Sequence, residues 1–276
     1  MSAAMRILLL GGTSEATALA RLVAEDTRFE PVLSLAGRTS APAAAPVATR
    51  IGGFGGVDGL AHFLAEEKIA AVVDATHPFA ARISANAAAT CRMVGVPLLA
   101  LARPPWQRRP GDNWVEVADM AGAAAALGTK PARVFLTIGR QELAAFAAAP
   151  QHHYVVRTIE PAEGLLASAT LIRARGPFAV EDEMALMQRE AIDVVVSKNA
   201  GGHATEAKII AARNLGLPVV MVRRPDRPEA PTVETAEAAL VWLIARHRSA
   251  SVPSPLRGRV REGGSAIRCT SDRLPA

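Results

Sequence analysis

Short apolar runs alternate with amphipathic or alanine-rich stretches along most of the chain. The first run, 6–10, leads through a glycine-rich turn into a helical stretch over 16–25. Runs at 31–36, 47–51, 69–74 and 97–102 follow, with helices expected over 57–67 and 79–94. A second series begins at 114. Its strands are expected at 114–117, 133–138, 154–158, 170–174, 192–197 and 218–222, and its helices over 119–127, 141–148, 161–167, 180–190, 204–215 and 233–248. Repeated strand–helix alternation, with strands apolar on both faces, predicts an α/β fold of parallel sheets covered by helices.

Residues 103–111 break the pattern. Four prolines or glycines in nine residues can continue neither a helix nor a central strand. The chain therefore divides into residues 1–102, a linker over 103–113 and a second unit over 114–248. From 249 on it is Ser, Pro, Gly and Arg without period, a disordered composition. The 276 residues suffice for two such units, and 50% hydrophobic residues suffice for their cores. Aromatics at 4% mean that those cores are aliphatic.

The net charge of +5 suggests nucleic acid until it is located. Five arginines after 249 face Glu262 and Asp272, which leaves +2 for the folded part, so no nucleic-acid partner is expected. No apolar run reaches the roughly 18 residues of a membrane span, and 1–10 lacks the form of a signal peptide. Cys91 and Cys269 are too few and too far apart for a disulfide framework or a zinc site, which fits the cytoplasm. No metal-ligand spacing is present; His152 and His153 start a strand and point to opposite sides, and Asp182 and Glu183 fall on a helix face expected to be solvated.

The candidate chemistry lies in the loops after strands, where open α/β sheets bind ligands. Gly11, Gly12, Thr13, Ser14 and Glu15 join the first strand to its helix. A glycine turn ahead of free helix N–H groups accommodates a phosphate, although Thr13 replaces the middle glycine of the dinucleotide fingerprint and a plain turn would read alike. Glu15 would repel a diphosphate unless it points away. After the second strand come Gly37, Arg38 and Thr39, with no carboxylate for a ribose hydroxyl; a cation and hydroxyls suit a 2′-phosphate, which favours NADPH over NADH. Asp74, Ala75, Thr76, His77 and Pro78 follow the fourth strand; a lone His such as His77 is more often structural than catalytic. In the second unit Arg140, Arg157, Lys198 with Asn199, Gly201 and Gly202, and Arg223 or Arg224 end strands. Together these cations imply an anionic substrate with several carboxylates or phosphates.

LLLGGTSEA at 8–16, LAGRT at 35–39, DATHPFA at 74–80, TIGRQEL at 137–143, RTIEP at 157–161, VSKNAGG at 196–202 and EAKIIAARNLGLPVVMVRRP at 206–225 resemble, block by block and in order, the precorrin-6A reductase family of cobalamin biosynthesis. The resemblance spans roughly residues 6–248. It implies two Rossmann-like domains with NADPH and substrate in the cleft between them, and reduction of one ring double bond of precorrin-6A to give precorrin-6B. It assigns Gly11–Glu15 to the diphosphate, Gly37–Thr39 to the adenosine phosphate, Asp74–Pro78 to the cleft near the nicotinamide, and Lys198–Gly202 to the cleft in the second domain. The substrate is then a polycarboxylate tetrapyrrole, the protein a monomer, and no proton donor is assigned. A cobalt-bearing substrate and a non-catalytic NADP-binding sensor are the rival readings.

Overall fold

The computed structural model describes residues 4–37, 44–159 and 164–251. The chain runs β1 (Met5–Leu10), α1 (Ser14–Ala24), β2 (Phe29–Leu35), β3 (Ala48–Ile51), α2 (Gly56–Glu66), β4 (Ala71–Asp74), α3 (Ala81–Val94) and β5 (Leu98–Leu101). It continues through β6 (Trp114–Val117), α4 (Met120–Ala126), β7 (Arg133–Leu136), a 3-10 segment (Arg140–Ala148), β8 (His153–Thr158), β9 (Ala169–Arg173), α5 (Val180–Arg189) and β10 (Val194–Lys198). A short 3-10 turn (His203–Thr205), α6 (Ala207–Asn214), β11 (Val219–Val222), β12 (Thr232–Val233) and α7 (Ala236–Ser251) complete it. The helix expected over 161–167 falls partly outside the described residues, and 164–168 are turn and bend. The tail expected to be disordered lies, from 252 on, outside them as well.

Two parallel sheets form, in the orders β12-β5-β4-β1-β2-β3 and β6-β11-β10-β7-β8-β9. Each strand interior is apolar on both faces, and alternation sorts its residues. Ile7 and Leu9 pack with Leu19 and Val23 of α1, whereas Leu8 and Leu10 pack with Leu60 and Leu64 of α2 and Ala87 of α3. In the second sheet Phe135 and Val195 meet Leu186, Met187 and Ile209 of α5 and α6, and Val134, Leu136 and Val196 meet Ala123 and Phe146 on the opposite face.

The order of strands corrects the linear division of the chain. The stretch 114–248 does not all belong to the second sheet: β12 pairs with β5, and Ala236, Ala239 and Leu243 of α7 pack against α1 in the first core. β6, expected in the second unit, does lie there, on the edge of the second sheet beside β11, the last strand before the return. The crossovers show where the chain changes sheet. A parallel neighbour in the same sheet needs a long connection, usually a helix. The segments after β5 and after β11 hold prolines and no helix, and each runs on to the other sheet. The chain thus crosses between the sheets twice, and β12 and α7 return to the first.

Sequence reversals of strand order fall at β1, between β4 and β2, and at β7, between β10 and β8. These are the points at which an open parallel sheet leaves a crevice beyond its carboxyl ends.

Candidate functional site

At the first crevice Gly11 packs so tightly that a Cβ would lie 2.6 Å from Leu33 Cδ1, and Gly12 takes φ +110°. Thr13 caps α1: its hydroxyl accepts from the Ala16 N–H at 3.1 Å and donates to the Ala75 carbonyl at 2.7 Å. One side chain thereby fixes the helix start and ties the loop to the end of β4. Thr13→Ala is expected to cost about 0.5–2 kcal/mol of stability, measurable by urea denaturation. The first-turn N–H groups of Ser14 and Glu15 have no intrahelical partner by geometry and point outward with the positive end of the dipole.

Glu15, which threatened to repel a diphosphate, is held by Arg103 Nη1 at 2.8 Å. The same guanidinium donates through Nε to the Ala200 carbonyl of the second unit at 2.8 Å. The linker thus neutralises the carboxylate and joins the two loops. Gly37 ends β2 at φ +70° and is exposed. Arg38 and Thr39 lie outside the described residues.

The 74–78 loop is built inward. Asp74 is buried; it accepts from the Thr76 N–H and hydroxyl at 3.1 and 2.6 Å and from Arg227 Nη2 at 2.9 Å. Ala75 and Thr76 are buried, as is Pro78, and His77 Nδ1 accepts from the Phe79 N–H at 3.2 Å. Phe79 then reaches across and packs against the core of the second sheet, with Lys198 Nζ 5.2 Å from its ring centroid. Asp74 therefore works as an anchor for Arg227 of the returning crossover.

The second crevice holds a cavity of about 520 Å³ at the ends of β7, β8 and β9. Its walls are Thr137–Glu142, Arg157–Ile159, Ala174–Gly176 with Phe178, and Thr205 with Lys208; Gly37 closes it from the first sheet. Thr137 Oγ1 donates to the Val196 carbonyl at 3.0 Å across the β7–β10 gap, the same bracing that Thr13 gives the first crevice. Arg140 and Arg157 are the two expected substrate cations that line it. Arg140 is exposed; Arg157 makes a two-pronged ion pair with Glu183 and stacks 3.7 Å from the Phe178 ring centroid. Glu183 is 1% exposed, which corrects the solvated face expected for it. It shares its side of α5 with Leu186 and Met187, three and four residues on, and the helix turns that side inward.

The other expected residues sit elsewhere. Lys198 is paired with Glu142 and reaches the cavity through that partner. Asn199 clasps the linker, accepting the Trp106 N–H at 2.8 Å and donating to the Trp106 carbonyl at 3.1 Å. Gly201 and Gly202, at φ +66° and +76°, leave room for Pro104 and Arg103. Arg223 is exposed and lines no part of the cavity. Arg224 donates to the carbonyls of Asn199, Arg103 and Ala200, each at 2.8 Å, and pins both crossovers to one loop. Burial, reinforced by Arg103 and Arg227, lowers its pKa to about 10.

Arg175 and Lys208 of the cavity wall escaped the sequence reading. Arg175 follows β9 as the other cations follow their strands, so its position was a usable signal. Lys208 belongs to a helix and gave none. It is 5% exposed, and burial, with Arg157 and Arg103 adding repulsion against the opposing pull of Glu183, drives its pKa down to about 7.

Residues 6–244 match the family described as precorrin-6x reductase CbiJ/CobK. The chain belongs to that family. A relative named precorrin-6A reductase from Rhodobacter capsulatus is 53% identical over 240 residues, covering 86% of this chain and 95% of its own. Another of that name from Sinorhizobium sp. is 54% identical over 237 residues, covering 85% and 91%. The solved structure titled CobK precorrin-6A reductase superposes with a TM-score of 0.83 at 52% identity, over 88% of this chain and 97% of that one. Membership makes the chain an oxidoreductase of the corrin pathway, with a fold of two Rossmann-like sheets. Among the described residues no helix is long and apolar enough to cross a membrane, and no group of three or more His, Cys, Asp or Glu could hold a metal ion.

Proposed function

We propose that this chain uses NADPH to reduce one ring double bond of precorrin-6A, giving precorrin-6B, and that it does so as a monomer in the cytoplasm. The observation that carries the reading is the cavity at the second crevice, whose wall holds Arg140, Arg157, Arg175 and Lys208 and is closed by Gly37 from the first sheet. A macrocycle edged with acetate and propionate groups needs several cations spread around one opening. The first crevice supports the cofactor. Gly11 and Gly12 keep the loop low, the α1 N-terminus favours an anion, and Arg103 cancels the charge of Glu15.

In this reading Gly11–Glu15 hold the diphosphate, and Gly37 with Arg38 and Thr39 the adenosine phosphate. The buried loop 74–78 forms the floor near the nicotinamide. The bound cofactor supplies a hydride. The chain's own residues bind and orient the macrocycle: Arg157, immobilised by Glu183 and Phe178, is a fixed point, and Arg140 and Arg175, both exposed, close on outlying carboxylates. Lys198, Asn199, Gly201 and Gly202 set the angle between the two crevices by holding the linker.

The test is anaerobic, with purified protein, precorrin-6A and NADPH or NADH, following both nicotinamide and macrocycle absorbance. Stoichiometric loss of NADPH with a shifted corrinoid spectrum is expected. Turnover of the cobalt-bearing substrate alone would move the assignment to that substrate, and tight NADPH binding without turnover of either would sink the enzymatic reading. In the same assay Arg38→Ala is expected to weaken NADPH by about 1.5–3 kcal/mol and to leave NADH unchanged; equal losses on both would remove Arg38 from the 2′-phosphate.

A further inference from the structure

Reduction of a carbon–carbon double bond requires a proton as well as a hydride, and most of the cavity wall is unsuited to give one. Arg140, Arg157 and Arg175 carry guanidinium groups, which suit binding carboxylates and not supplying protons. Glu142 is committed to Lys198. Among the described residues of the wall, the remaining polar side chains, those of Thr137, Gln141, Thr158 and Thr205, are hydroxyls and an amide with no useful acidity.

Lys208 differs from each of these. It stands in the first turn of α6 with its side chain buried, yet it lines the cavity. Its Nζ donates to the Thr205 carbonyl at 3.0 Å and lies 5.2 Å from the Trp106 ring centroid. Arg157 and Lys198 each hold a carboxylate partner in an ion pair, whereas among the described residues the polar contact of Lys208 is a neutral carbonyl. A carbonyl takes one of the three N–H bonds of an ammonium and leaves the others for a ligand. The charged groups that act on it come from three elements: Arg157 from β8, Glu183 from α5 and Arg103 from the linker. Burial is the largest influence on Lys208; Arg157 and Arg103 repel its charge, and Glu183 favours it.

We propose that Lys208 is the proton donor of the reduction, an inference that rests on the function proposed above. With a reduced nicotinamide as hydride source, one carbon of the double bond gains a hydrogen with its electron pair. The π pair passes to the conjugated macrocycle. One N–H bond of the Lys208 ammonium breaks, its electrons stay on nitrogen, and the proton forms the second new bond on the macrocycle. The neutral amine left behind regains a proton from water after product leaves. The nicotinamide is oxidised by two electrons and the macrocycle is reduced by two. The lowered pKa of about 7 makes this transfer easy near neutrality and places its limit there.

Three variants and one titration test it. In the full chain, Lys208→Arg keeps the positive charge and cannot release a proton; kcat is expected to fall about 100-fold while KM for precorrin-6A stays within about threefold. Lys208→Met fills the same space without charge and is expected to lose the same kcat. Wild-type kcat should fall as pH rises through about 7, and that limb should vanish in both variants. Glu183→Gln removes the carboxylate that opposes deprotonation and should shift the limb to lower pH. Retention of wild-type kcat by Lys208→Arg, or survival of the same pH limb in it, would overturn the proposal and leave Lys208 as a carboxylate ligand.

A readout independent of turnover is the ¹³Cε NMR titration of ¹³C-lysine-labelled protein, with Lys208→Met to assign the resonance. A midpoint near 7 is expected, and an ordinary lysine midpoint would overturn the role. This titration needs no variant to be active. Failure of the wild type to consume NADPH with precorrin-6A would strike the proposed function itself, and is read in a separate assay.

Discussion

Glu183→Ala is expected to destabilise the protein by about 3–5 kcal/mol, because it leaves Arg157 buried without its carboxylate. The two side chains are 8% and 2% exposed, and the guanidinium is sandwiched near the Phe135 and Phe178 rings, so water has little access to the charge left behind. At about 2–4 °C per kcal/mol for a chain of this size, the melting midpoint should fall by about 10 °C. Scanning calorimetry or circular dichroism reads it. The informative control is Arg157→Met combined with Glu183→Leu. Removing both partners removes both desolvation costs, so most of the lost stability should return. Binding of precorrin-6A should not return with it, since Arg157 lines the cavity. A double variant that recovers both would show that the pair serves the fold alone. A single variant that melts within a degree of wild type would show that water reaches the pair.

Gly201→Ala is expected to cost about 2–5 kcal/mol and to weaken substrate binding from outside the cavity. The residue sits at φ +66°, and an added Cβ would lie 2.0 Å from the Pro104 carbonyl oxygen and 2.6 Å from Arg224 Nη2. Neither neighbour gives way cheaply. Pro104 is backbone of the linker, and Arg224 is fixed by three carbonyls. The alanine must therefore push the linker off the 199–202 loop and loosen Trp106 from Asn199 and from the Gly202 carbonyl. Those contacts join the crossover to the second sheet, and Arg103 on the same segment joins it to Glu15 of the first. Limited proteolysis should cut the linker faster in the variant, and the affinities for NADPH and precorrin-6A should both decline. Cleavage and affinities equal to wild type would show that the loop can shift without disturbing the crossover.

Much of the secondary structure and several site loops were legible because their signals are local. Met5–Leu10 and Val194–Lys198 are apolar runs that only a strand buried on both faces explains, and each ends at a loop with the glycines and polar groups of a crevice. The cations Arg140 and Arg157 could be placed on one cavity because consecutive parallel strands point their carboxyl ends the same way. One motif carries a structural task that its composition does not announce. Lys198–Gly202 has the composition of a binding loop, yet Asn199 and both glycines are shaped to receive the linker, a partner nearly a hundred residues away.

The sequence by itself determined the α/β alternation, the proline-rich link, the two crevice loops and the family. Each rests on periodicity or on residues close in the chain, where backbone geometry leaves little choice. Only the tertiary structure decided that β12 and α7 return to the first sheet, that Glu183 is buried under Arg157, that Arg103 neutralises Glu15, and that Lys208 reaches the cavity from a helix. A two-residue strand has no period to read, and an ion pair spanning 26 or 88 residues leaves no trace in spacing. These contacts form where the two helix-free crossovers pass between the sheets and lay the linker against the 11–15 and 199–202 loops.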